Sequence, residues 1–288
     1  MTERKQPRLG VHWTLVAVCL ATVAYAAYMS ASSIVRHDAF LTNRADLGHF
    51  DQTLWNTLHG QFLIRTDGGQ QMISLTDHVE PILVPLSLIY LVWENVRALL
   101  IFQTAAIALG ALPVYWLARD ELLGARCSAS VARLAGLVLA LFYLLFPGLQ
   151  AANLTEFHAT TLVVTPMLLA LYHARRGRYG PMWLWAVVVM MVKEEMPLLT
   201  LMLGLWLLFI GKARRQGLAL AAVSLAWCAV AVFVITPQYA HIEYGTDQSV
   251  HFERYAAFGD SPGAIIRTVL TDPGLVWRTV SQPDRVSY

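Results

Sequence analysis

Ala45–Gly60 reads ADLGHFDQTLWNTLHG. At 100° per residue, Leu47, Phe50, Leu54 and Leu58 fall on one helical face, with Asp46, His49, Thr53 and Asn56 opposite. Asp51 falls beside Trp55 and Leu58, at the edge of the apolar stripe. A carboxylate there must be paired, protonated or hydrogen-bonded, because an unpaired buried charge is costly. A helix of this pattern suits a bilayer interface, provided that its flanks cross the bilayer.

The preceding run, about Val11 to Ser33, contains no Asp, Glu, Lys or Arg and is long enough to span a membrane. A cleaved leader ending at Ala24-Tyr25-Ala26 is the alternative. The length of the run and the spans that follow favour an anchored helix. Composition agrees: apolar residues make up 57%, charged residues 14%, and mean hydropathy is +0.51. A soluble domain carries about 25% charge. The expected fold class is therefore all-α, a polytopic membrane bundle of about seven transmembrane helices.

Arg4, Lys5 and Arg8 precede the first span and place the N-terminus in the cytoplasm, so the loop 36–97 lies outside. Pro81–Trp93 is apolar but short and carries two prolines, as an interfacial or re-entrant segment would. Ala98–Leu117 returns inward to Arg119, Arg126 and Arg133. Leu134–Leu149 goes out, Gln150–Thr160 turns, and Thr161–Tyr172 comes back to Arg175, Arg176 and Arg178. Met182–Val192 goes out to Lys193, Glu194 and Glu195. Met196–Ile210 returns to Lys212, Arg214 and Arg215, and Leu218–Ile235 leads to an outer tail. This division puts 16 of the 19 acids and seven of the nine histidines on the outer side, although neither was used to draw it. Residues 1–236 form the transmembrane domain, and 237–288 an external polar tail. Cys19, Cys127 and Cys228 form neither a disulfide framework nor a metal pattern.

Four clusters fall on the outer side. They are Asp46 with Asp51; Asp77-His78-Val79-Glu80; Asn153-Leu154-Thr155-Glu156-Phe157-His158; and Lys193-Glu194-Glu195. Asp77 read alone caps a helix, and Glu156 with His158 makes a solvated turn. Three ionisable residues together in an apolar stretch are expensive and point to function, or else to an internal ion pair at the break before Pro197. Carboxylates of this kind serve as general bases. With histidine they hold a divalent cation, and lysine neutralises phosphate. Phosphate-loop, zinc-protease and serine-hydrolase motifs are missing, and so is a surface suited to nucleic acid.

Taken in order, ADLGHFDQTLWNTLHG, DHVEPIL, NLTEFH and VKEE resemble an uncharacterised bacterial family of polytopic membrane proteins, DUF2079. That family in turn resembles the GT-C integral membrane glycosyltransferases. The resemblance implies a GT-C-like core with interfacial helices in the first external loop. It also implies transfer of a sugar from a polyprenyl-phosphate carrier to an acceptor outside the cytoplasm, in the plasma (inner) membrane. Asp46 would be the general base or a metal-linked carboxylate, and Asp51 would orient it or share its proton. Asp77, His78 and Glu80 would bind a cation, Mg2+ or Mn2+. Lys193 and His158 would meet the carrier phosphate, with Asn153, Glu156, Glu194 and Glu195 completing that site. The second acidic motif of such enzymes matches either Glu156 or the Glu194–Glu195 pair. The chain stops at Tyr288 without the further spans of such enzymes, as a shortened member or a fragment would. A permease built on Lys193, Glu194 and Glu195, and a non-catalytic assembly protein, are the alternatives.

Overall fold

In the computed structural model, residues 12–42, 44–239, 255–259 and 261–282 are described. Arg4, Lys5 and Arg8, which set the expected orientation, lie outside them. The chain is an all-α membrane bundle. Helix α1 (Trp13–Asp38) is followed by α2 (Arg44–Leu58) and a hairpin, β1 (Ile64–Asp67) with β2 (Gln70–Ile73). Short helical turns at Leu83–Leu86 (α3) and Ser87–Leu91 lead to α4 (Arg97–Ala108) and α5 (Ala111–Gly124). Next come α6 (Ala129–Leu145), α7 (Pro147–Thr155), α8 (Val164–Arg175), α9 (Tyr179–Met190), α10 (Pro197–Phe209) and α11 (Arg214–Val230).

Among the described residues, three helical stretches are long and apolar enough to cross a membrane: Trp13–Asp38, Arg97–Gly124 and Arg214–Tyr239. The pair α6–α7, bent by 42°, makes a fourth. Helices stand at the other expected spans too, but α8, α9 and α10 are only 12 to 13 residues long. The seven-span expectation is therefore met in order and not in length.

Two details depart from expectation for local reasons. Residues 150–155 are helical rather than a turn. Proline at 147 holds Phe146 extended and starts a new helix at its first position. The loop after α2 folds as a hairpin because Gly68 and Gly69 both take positive φ (56° and 85°), which the tight turn after Asp67 demands.

The α2 face expected to be apolar packs inward: Leu47 and Leu54 are buried, with Phe50 and Leu58 against them. Its opposite face is not simply solvated. Thr53 is buried, the Asn56 amide donates to Ile64 O (2.8 Å), and His49 lies 3.8 Å from Asp67 of the hairpin.

The bundle has two chemically distinct ends. At one, Arg97 pairs with Asp38, and the Arg36 guanidinium donates to Leu154 O (2.9 Å). At the other, Thr14 meets the Tyr115 hydroxyl (2.9 Å), Arg175 pairs with Glu121, and Arg176 pairs with Asp120 (3.0 Å). The loop from α2 to α3 joins the first end.

Candidate functional site

Asp46 lies in the first turn of α2, where the helix dipole favours a carboxylate. One turn on, Phe50 packs edge-on against Phe157 (centroids 5.1 Å, 83°) and against His158 (6.4 Å). That contact carries Asp46 onto the link between α7 and α8. Its carboxylate, the Glu156 carboxylate and the His158 imidazole then offer ligand atoms that all lie within 4.8 Å of one another. Glu156 is 5% exposed and His158 38%, so the cluster opens on the histidine side.

Behind the cluster stands Gln103 of α4, fully buried. Its amide donates to Glu156 O (2.8 Å), and its oxygen accepts from the His158 N–H (2.8 Å) and the Thr161 hydroxyl (3.0 Å). Asn153 is buried beside it: Oδ1 accepts from Thr104 (3.0 Å), and its carbonyl accepts from Ser33 (3.3 Å). The bonds from Ser33 and Arg36 satisfy the Asn153 and Leu154 carbonyls in the last turn of α7.

The second cluster forms where the loop before α3 meets the break between α9 and α10. Ile82 N–H donates to Met191 O (2.9 Å) and Val79 N–H to Glu194 (2.9 Å), while His78 Nδ1 bonds the same carboxylate (2.9 Å). Lys193 lies 3.3 Å from Glu195. Burial would raise the Glu194 carboxyl, but the His78 hydrogen bond and charge and the backbone N–H groups bring it below its usual range. Glu80, buried beside them, is pushed up to about 7, first by desolvation and against the pull of His78.

Three of the expected site residues, Asp77, His78 and Asp51, take partners of their own. Asp77 pairs with buried Arg65 and His78 with Glu194, so among the described residues Asp77, His78 and Glu80 do not gather as a metal set. Arg65 and Glu194 compete successfully for them. Asp51 accepts from the Tyr90 hydroxyl, which supplies the hydrogen bond its position demands. Burial and the Asp51 acceptor together push the Tyr90 phenol up. Asp51 is thus engaged away from Asp46, about 140° round α2.

An apolar groove of about 370 Å³ is lined by Ile82, Leu86, Phe102, Leu162, Pro166 and Trp116 among others; Ile82 follows the loop of the second cluster, and Leu162 follows the link that carries Glu156 and His158. From Phe102 to Trp116 the helical rise gives it about 20 Å of length.

The family model described as "Predicted membrane protein (DUF2079)" matches residues 36–288. No curated protein and no solved structure matches the chain. The matched region takes in both polar clusters and every helix from α2 onward, and the chain belongs to this family of predicted membrane proteins.

Proposed function

We propose that the protein transfers a sugar from a polyprenyl-phosphate carrier to an acceptor hydroxyl at the acid-rich end of the bundle. The observation that carries this reading is the convergence of Asp46, Glu156 and His158, from separate elements, in a bundle whose apolar groove suits a short part of an isoprenoid chain. In the transfer, the bond between the sugar's anomeric carbon and the phosphate oxygen breaks, and the electron pair leaves with the phosphate. The acceptor oxygen bonds to that carbon, and its proton passes to the Asp46 carboxylate as general base.

Two carboxylate oxygens and one imidazole nitrogen suit a divalent cation such as Mn2+ or Mg2+. When bound, the cation neutralises charge on the leaving phosphate. Glu156, held from behind by Gln103, and His158, on the open side, would fix its position. Lys193 meets the carrier phosphate from the second cluster, with Glu194 and Glu195 setting its place.

The clustering of Arg175, Arg176, Lys212 and Arg214 away from these residues supports a cytoplasmic basic end and an extracytoplasmic acid end of the plasma membrane. A permease would set ionisable residues midway along its helices, whereas Lys193 and Glu194 stand in the turn between α9 and α10. Membranes holding the protein should move radiolabelled sugar from a polyprenyl-phosphate donor to an acceptor, and Asp46→Asn should stop them. Uptake of sugar into sealed vesicles without transfer would refute the reading in favour of a permease.

A further inference from the structure

The cluster is assembled from α2 on one side and the link between α7 and α8 on the other. That link has no regular backbone pairing of its own: Glu156 and His158 both lie in extended geometry between a helix end and a 3-10 turn. Its main chain is tied instead to a side chain within a membrane span. Gln103 donates to the Glu156 carbonyl and accepts from the His158 N–H, bracketing Phe157 with one donor and one acceptor. The Thr161 hydroxyl, in the following turn, shares its one proton between the same oxygen (3.0 Å) and His158 O (2.8 Å). Gln103 is fully buried, so no water competes for these bonds, and a primary amide is the side chain that offers both roles within one planar group.

We propose that Gln103 is the positioning residue of the site, setting Glu156 and His158 at the distance from Asp46 that a shared ligand requires. The inference rests on the reading of this cluster as the functional site, but its test uses neither sugar donor nor cation. In a chain with Cys19, Cys127 and Cys228 changed to serine, Asp46→Cys and His158→Cys form a reporter pair. A short bis-methanethiosulfonate reagent crosslinks them, and the yield is taken relative to a control pair, Trp183→Cys with Gln216→Cys. Trp183 and Gln216 are in contact in the native chain (2.8 Å) at the starts of α9 and α11.

Gln103→Leu should lower the relative yield at least about fivefold. Gln103→Glu separates positioning from simple filling of space. Protonated, its carboxyl keeps a donor for the Glu156 carbonyl and an acceptor for the His158 N–H; ionised, it presents only acceptors to the Glu156 carbonyl. Relative yield should therefore be native at pH 5.5, where burial keeps the carboxyl protonated, and fall towards the Gln103→Leu value where the carboxyl ionises.

Native yield from Gln103→Leu would overturn the assignment. If that variant loses the control crosslink as well, Gln103→Glu decides. Failure to hold the reporter pair at pH 5.5, with the control pair intact, then overturns it. Crosslinking as expected, together with no sugar transfer by the native chain, would leave Gln103 in place and remove the proposed transfer alone.

Discussion

The two polar clusters use the same residue types to opposite effect. Around Glu194, acids meet bases: Glu194 holds His78, Glu195 holds Lys193, and Asp77 holds Arg65. Around Glu156, the Asp46 and Glu156 carboxylates are brought to one another, with the His158 imidazole at the rim. Opposite charges placed together neutralise each other, and the bonds of Glu194 to His78 and Val79 tie the loop to the helix break. Like charges placed together cost free energy unless something positive joins them. The first arrangement fastens the loop before α3 to the bundle, and the second gathers groups of the kind that could hold a cation. An acid-rich end therefore need not be one pocket: an ion-paired cluster and a cluster of like charges sit side by side.

The largest expected effect separates the two clusters directly. Asp46→Asn and Glu156→Gln should each lower sugar transfer by about a hundredfold or more, the scale of losing a general base or a ligand to the leaving group. Glu194→Gln should lower it less than about tenfold. The reverse order would move the chemistry to the ion-paired cluster.

The next effect is a pH dependence of stability. The Glu80 carboxyl, raised to about 7 in the folded chain, favours folding below its unfolded value near 4.5 and loses that contribution as pH rises through 7. Over that window the loss amounts to about 3 kcal/mol. Glu194 acts in the opposite sense: its lowered carboxyl contributes stability above its unfolded value and loses it as pH falls. Unfolding of Glu80→Gln in detergent, followed between pH 5 and 8, should therefore show a weaker decline with rising pH than the native chain. An unchanged slope would mean that Glu80 is not the group responsible.

Glu194→Ala should cost about 2 kcal/mol, because Val79 N–H and His78 lose their acceptor in a half-buried site. The smallest effect is expected from Tyr90→Phe, about 1 kcal/mol from the lost bond to Asp51, with little change in transfer. A large loss of transfer there would return Asp51 to the site.

Much of this was legible in the residues. The apolar runs marked the helices. The 100° stripe marked the buried face of α2, and Asp51 declared its need for a partner before Tyr90 was known to be it. What could not be read was which cluster meets which, because that depends on tertiary contacts between residues about 110 apart. Asp46 looked like a partner for Asp51, five residues away, yet Phe50 docks on Phe157 and delivers Asp46 to Glu156 instead. Asp77-His78-Val79-Glu80 looked like a ligand set because its residues are adjacent, and adjacency does not make side chains converge. Two signals were present and went unread. Asp67-Gly68-Gly69-Gln70 announces a hairpin. Gln103 with Thr104, polar in an otherwise apolar span, announces a buried hydrogen-bonding role. The polar tail likewise hides two amphipathic helices, Pro262–Thr271 and Pro273–Val280, whose Ile266, Leu270 and Trp277 are exposed.

Binding of Mn2+, followed by electron paramagnetic resonance on the full chain in lipid nanodiscs, tests the central contrast most directly. The account predicts one bound ion, with affinity at least about tenfold weaker in Asp46→Asn, Glu156→Gln and His158→Gln and unchanged in Glu194→Gln. Binding that survives all three changes but is lost in Glu194→Gln would contradict it, as would a native chain that binds no ion.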